Sequence, residues 1–284
     1  MTEKIINKNF DEERALYNLK DTEVENCIFA GERDGESSLK EARNVVVKNC
    51  SFSLRYPLWH NKDFYLINSK MDEFARAPIW YAENGIIEKS CIKNIKCLRE
   101  CKNIRIKDSE INSAEFGWKS ENILLENSDI ESEYFMFDSS NVKLENINFK
   151  GKYSFQYINN LEISNCNLDT KDAFWHSKNV TVKNSVVKGE YLGWFSENLT
   201  LIDCKIIGTQ PLCYCKNLKL INCTMEGTDL AFEYSEVEAD INGYIESVKN
   251  VKSGIVSADE IGEIINENSI METSGKIVIK KQHE

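Results

Sequence analysis

A repeat of 19 residues runs through most of this chain and leaves it few ways to fold. The segments NIRIKDSEI, NILLENSDI, NVKLENINF, NLEISNCNL, NVTVKNSVV, NLTLIDCKI and NLKLINCTM open at Asn103, Asn122, Asn141, Asn160, Asn179, Asn198 and Asn217, each 19 residues after the last. The pattern continues upstream through Asn84, Asp63, Asn44 and Asp21 and downstream to a degenerate copy at Glu236, which makes twelve units. Two steps carry insertions, 23 residues after Asp21 and 21 after Asp63.

Counted from zero at the first residue of a unit, positions 1 and 3 are Val, Ile or Leu almost throughout, a strand period of two. Position 5 is Asn in eight units, among them Asn26, Asn127 and Asn222, and Asn tolerates a left-handed corner. Glycine at position 10 (Gly31, Gly151, Gly189, Gly208, Gly227) marks a second corner, and a third strand is expected over positions 12 to 17. Strands this short bury their inner faces only by coiling and stacking on the next unit. The expected fold is all-β, a single-stranded parallel β-helix of about twelve rungs, right-handed because parallel crossovers are. Residues 1–20 read as an N-terminal cap with a short amphipathic helix through Ala15, Leu16 and Leu19, residues 21–254 as the repeat domain, and 255–284 as final rungs and a C-terminal cap.

In such a coil, residues 19 apart form vertical columns. The position-5 asparagines are expected to make an amide ladder. Position 6 is small, with Cys27, Cys50, Cys166, Cys204 and Cys223 interspersed among serines, so half of the ten cysteines read as packing. Cys97 with Cys101 and Cys213 with Cys215 are too few and too far apart to share a metal, and neither metal nor cofactor is expected. All five tryptophans (Trp59, Trp80, Trp118, Trp175, Trp194) fall four residues before the next unit, with Arg99 in line between Trp80 and Trp118. The simplest parity turns that column inward, with Arg99 stacking on both indoles; the opposite parity makes it a solvent-facing strip.

With the tryptophans inward, positions 12, 14 and 16 face out and build an aromatic face in the middle rungs. It comprises Tyr134, Tyr153, Asp172 and Tyr191 at position 12, Met136, Phe155 and Phe174 at position 14, and Asp138, Tyr157, His176, Phe195 and Tyr214 at position 16. Contiguous ring surface of this kind marks ligand or partner contact. The carboxylates are badly placed for glycoside hydrolysis, since Asp138 and Asp172 lie about 16 Å apart by strand geometry. Asp172 and His176, about 13 Å apart, are out of reach as a base and its orienting partner. Only a relay Asp138–Tyr157–His176 along one column is allowed.

With 46 acidic against 35 basic residues the net charge is -11, which argues against a nucleic-acid surface. The charged N-terminus has no apolar signal core and no long apolar run spans a membrane, so a cytoplasmic protein with reduced thiols is expected. The leading expectation is a non-catalytic binding module that holds a carbohydrate-like ligand or a protein partner on the aromatic face. A polysaccharide- or oligosaccharide-active lyase or hydrolase and a homo-oligomerising scaffold are the alternatives, with oligomeric state left open.

The runs DEERALYNLKDTEV (11–24), LRYPLWH (54–60), CLREC (97–101), TKDAFWHSKNVTVKNSVVKGEYLGW (170–194), SVKNVKSGIV (247–256) and ADEIGEII (258–265) resemble a bacterial family of unknown function, number 3737. The resemblance implies a right-handed, pectin-lyase-like β-helix and supplies no catalytic residues. RIK at Arg105 to Lys107 resembles a polygalacturonase motif, but the paired aspartates and the Gly-His-Gly motif of those enzymes have no counterpart here.

Overall fold

The structure, a computed structural model, describes residues 3–31 and 36–280. It divides into two compact units, Met1–Lys143 and Leu144–Glu284, each a parallel β-solenoid. No helix occurs among the described residues. There are about 14 turns against the twelve repeats. The surplus comes from Glu3–Ile6 with Asn9–Phe10 before the first repeat and from Ser253–Ile265 after the last.

In the first unit, Lys102–Lys107 lies between Glu83–Glu88 and Glu121–Ser132, with Ile104 level with Gly85 and Ile123. In the second, Leu161, Val180 and Leu199 form one inward column, and Leu168, Val187 and Ile206 another. The 19-residue register therefore stacks like on like, and the core of each unit is a set of aliphatic columns. After Glu236 the step shortens: Glu236–Lys249 pairs with Ser253–Ile265, Glu236 opposite Ser253, with a register shift between Ile241 and Tyr244.

The corners obey the side chains. Position 5 is left-handed as expected, for example Asn127 (φ 47°) and Asn222 (φ 53°), with Asn68 donating to Asn49 at 2.6 Å. Position 0 is left-handed too and carries the longer amide ladder: Asn103 donates to Asn84, Asn122 to Asn103, Asn198 to Asn179 and Asn217 to Asn198, all at 2.8–2.9 Å. Reading the first Asn of each unit as a marker of the repeat hid its role at the corner.

The small position-6 column does more than fill space. The buried N–H of Ser90 donates to Ser109 Oγ at 3.1 Å, and that hydroxyl donates in turn to the carbonyl of Lys107 at 2.8 Å. Cys50, Ser69, Ser109 and Cys166 bond the next rung in the same way. Each hydroxyl satisfies an N–H that the corner has taken out of the strand ladder. Ser109→Ala leaves that N–H buried without a partner, and urea denaturation should show a loss of about 1–3 kcal/mol. Ser109→Cys should cost less, because thiols already serve in this column.

Two expectations fail. Residues 12–18 are turns rather than a helix: the N–H groups of Arg14, Leu16 and Asn18 bond carbonyls of the next rung, and Arg14 and Asn18 have positive φ. In the second unit, the third strand over positions 12 to 17 is a turn as well, over 153–157, 172–176 and 191–195. Every second residue there has positive φ, as in Tyr153 (51°), Phe155 (60°) and Tyr157 (59°). Left- and right-handed residues in alternation destroy the pleat, so the in–out alternation of a strand no longer applies.

Candidate functional site: an aromatic ladder

That turn decides which rings reach solvent. Met136, Phe155 and Phe174, expected outside, are fully buried, with Phe155 stacked on Phe174 at 5.1 Å and 10°. Position 14 therefore belongs to the core and touches no ligand. The tryptophan column is neither inward nor free: its indoles are half-buried, and each Nε1 donates to a backbone carbonyl of the next rung. Trp175 bonds Tyr191 O at 2.7 Å and Trp194 bonds Gln210 O at 2.8 Å; in the first unit Trp118 bonds Tyr134 O at 3.0 Å. Gln156 fills the same column because its amide makes the same bond, to Asp172 O at 3.1 Å. Arg99 sits between Trp80 and Trp118 as the column predicts, 5.1 and 5.5 Å from their ring centres.

Position 16 does face out. In the second unit Tyr157, His176, Phe195 and Tyr214 form a continuous stack, with centroids 5.1, 5.0 and 4.8 Å apart and planes within 16° of parallel. Tyr157 is 50% and Phe195 43% exposed. Each of these residues has a φ near 60°, and the N–H groups of Tyr157 and His176 bond Trp175 O and Trp194 O. The corner geometry thus turns four rings outward in one column. Behind them Trp175 stacks on Trp194 at 5.5 Å and 5°. The faces of the inner rings are covered by their neighbours, so the strip offers ring edges to solvent.

At position 12, Tyr153, Asp172 and Tyr191 are half-buried beside this stack. Tyr191 stands at 81° to Trp194, and Lys171, paired with Glu190 at 2.8 Å, lies 5.6 Å from its ring centre. Burial raises the Asp172 carboxyl above its ordinary value, opposed by Lys171 and assisted by Glu190. Burial likewise raises the Tyr214 phenol, with Glu233 adding to it. In the first unit Tyr134 is exposed and edge-on to Trp118 at 6.1 Å, and Asp138 is exposed with φ 53°. A proton relay through Tyr157 to His176 has no geometric support, because parallel rings 5.1 Å apart direct their polar atoms alongside rather than at one another.

The same column supplies a pair that the sequence reading missed. His60 and Tyr81 stack at 4.8 Å and 18° on an open groove of about 480 Å³ that also touches Lys62, Glu83, Glu100 and Lys119. His60 holds position 16 of the unit that opens at Asn44, but the insertion between Asp63 and Asn84 shifts Tyr81 off the period; counting on from Trp59 and Trp80 aligns the two.

Among the described residues no group of His, Cys, Asp and Glu is arranged to hold a metal ion. All ten cysteines are free thiols and only Cys91 is not buried. Burial pushes the Cys50 and Cys101 thiols up to about 12 and Cys215 up to about 11. Cys91 is raised too, by burial and then Glu110. A disulfide reagent at pH 8 should therefore titrate one thiol slowly in the folded protein and the others only after unfolding. Cys91→Ser should remove the first step.

No curated protein matches the chain. Among solved structures it is similar to PfbA, a surface adhesin of Streptococcus pneumoniae, at 9% identity and a TM-score of 0.45 over 76% of this chain and 84% of that one. It is also similar to the A-module of the Azotobacter vinelandii mannuronan C-5 epimerase AlgE6, at 11% identity and a TM-score of 0.43 over 94% and 90%. Neither likeness carries an activity over to this chain. The model of the family described as "Protein of unknown function (DUF3737)" matches residues 3–279, nearly the whole sequence, and the chain belongs to that family.

Proposed function

We propose that this protein is a non-catalytic binding module and that the strip along Tyr157, His176, Phe195 and Tyr214 is its recognition surface. The observation that carries this reading is an exposed stack whose rings are already immobilised against one another. Immobilising side chains is one of the costs of forming an interface, and for these rings it is met on folding. Aromatic residues are also what protein interfaces concentrate.

A protein partner fits best, because it can pack against ring edges as readily as against faces. A carbohydrate-like ligand is the second reading, favoured by one observation: Tyr191 breaks the stacking direction, with its plane at 81° to Trp194 and Asp172 one rung away at position 12. Thermal shift against a glycan panel separates the two. A glycan that stabilises the wild type and Phe195→Asp alike, but not Tyr191→Ala, supports the carbohydrate reading. If no glycan acts, purified candidate partners should lose binding to Phe195→Asp, whose exposed position leaves folding intact. A partner held equally by wild type and Phe195→Asp would remove the strip from the account.

A further inference from the structure

Two charged columns flank the ring strip of the Leu144–Glu284 unit. On one side, position 11 carries Lys171 and, one rung on, Glu190, paired at 2.8 Å. On the other, position 18 carries Lys178 and, one rung on, Glu197, paired at 3.5 Å. Both columns border the strip. Lys171 lies 5.6 Å from the ring centre of Tyr191, which stands against Trp194 at 5.6 Å, and Trp194 meets Phe195 at 6.2 Å. In the Met1–Lys143 unit the equivalents of positions 16 and 18, among them His60 with Lys62 and Tyr81 with Glu83, line one groove. Lys then Glu, read in chain direction, is thus the order on both sides of the rungs that hold His176 and Phe195. Each flank is neutral there, in a chain of net charge -11.

That order is complementary to its own reversal. When two copies meet face to face with their rungs running in opposite directions, about a twofold axis between the His176 and Phe195 rungs, each flank faces the same flank of the other copy. Lys178 then faces Glu197 of the second copy and Lys171 its Glu190, so each flank gathers four charges of alternating sign. Every charge keeps its partner within the chain and gains another across the interface. The parallel twofold arrangement instead sets position 11 against position 18 at the same level, Lys171 on Lys178 and Glu190 on Glu197, and repels. The rings alone do not choose. Ladders that repeat at 5.1, 5.0 and 4.8 Å on both copies mesh edge to edge at several shifts, and the charges select one.

We propose that the partner of this strip is a second copy of the chain, held antiparallel in an isologous dimer with Tyr157 opposite Tyr214 and His176 opposite Phe195 of the other copy. The proposal rests on reading the strip as a recognition surface and names what it recognises. Four rungs are roughly 19 Å long, which places the contact at the small end of protein interfaces and makes the dimer a reversible one. Ring packing supplies the attraction; the flanks supply direction and register, because exposed ion pairs add little to affinity.

Sedimentation equilibrium of the full chain at low ionic strength, from about 1 µM to 1 mM, tests this. The mass should rise toward that of a dimer with concentration, and Phe195→Asp should raise the dissociation constant at least about tenfold. Lys178→Glu sets carboxylates face to face across the twofold axis, and Glu197→Lys sets ammonium groups so, and each alone should weaken the dimer about fivefold or more. An equimolar mixture of the two should recover association as a heterodimer, since the two reversals then face each other and the other contact is native. Both side chains reach solvent, so thermal unfolding of each variant should match the wild type. A wild type that stays monomeric at about 1 mM, or a mixture that associates no better than either variant alone, would overturn the second copy as partner. Neither result removes the strip, which is lost only if a different purified partner also binds Phe195→Asp as it binds the wild type. A wild-type dimer unaffected by Phe195→Asp would overturn this proposal by placing the dimer contact elsewhere.

Discussion

Phe174→Ala is expected to destabilise the protein by about 3–5 kcal/mol in equilibrium urea denaturation, whereas Phe195→Ala costs about 1 kcal/mol or less. The two phenylalanines hold positions 14 and 16 of equivalent turns on adjacent rungs, yet Phe174 is 2% exposed and Phe195 43%. Phe174 stacks on Phe155, and deleting its ring leaves a cavity that flanking columns fixed by strand register cannot close. Phe195 stacks on His176 and Tyr214 at the surface, where water replaces the lost ring. Equal costs, or the reverse order, would show that positions 14 and 16 share a face as a regular strand requires.

Gly208→Val is expected to cost about 2–5 kcal/mol, combining overpacking with left-handed backbone strain. Gly208 has φ +122°, and a Cβ built there would lie 2.2 Å from the carbonyl oxygen of Gly189. That contact is with backbone one rung back and has no side chain to yield. Gly227, at φ +62° with nothing within 4 Å of such an atom, isolates the strain alone, so Gly227→Ala should cost about 1 kcal/mol. A comparison of the two denaturation midpoints separates close approach of rungs from conformational preference.

The rung architecture was legible because periodicity survives any local ambiguity: Ile104, Ile123 and Val142 announce one column whatever the corners do. Left-handed asparagines at position 5 and Arg99 between two indoles followed from residue type and register alone. The aromatic face was legible by half. Tyr157, His176, Phe195 and Tyr214 share the outward column, while Phe155 and Phe174 turned inside. The error came from extending a strand's period of two into a segment where every second residue is left-handed. Those residues are Tyr, Phe, Asp and His rather than Gly or Asn, so nothing in their type announces a turn. At the N-terminus, Ala15, Leu16 and Leu19 matched a helical spacing, but the carbonyls of Glu36, Ser38 and Lys40 offered inter-rung bonds that a helix would have forfeited.

The outward stack also limits chemistry. Rings that cover one another's faces are held still, which suits recognition and leaves the imidazole of His176 flanked by carbon rather than by a carboxylate. Burial raises the Asp172 carboxyl, which stands beside Lys171 and Glu190.

The central claim, that residues 19 apart are vertical neighbours and carry an outward ring ladder, is tested most directly by the proton NMR of His176. With Tyr157 and Phe195 stacked on its two faces at 5.1 and 5.0 Å, its ring protons should be shifted upfield and show cross-peaks to both neighbouring rings. Unshifted imidazole resonances with no contact to either ring would contradict the account.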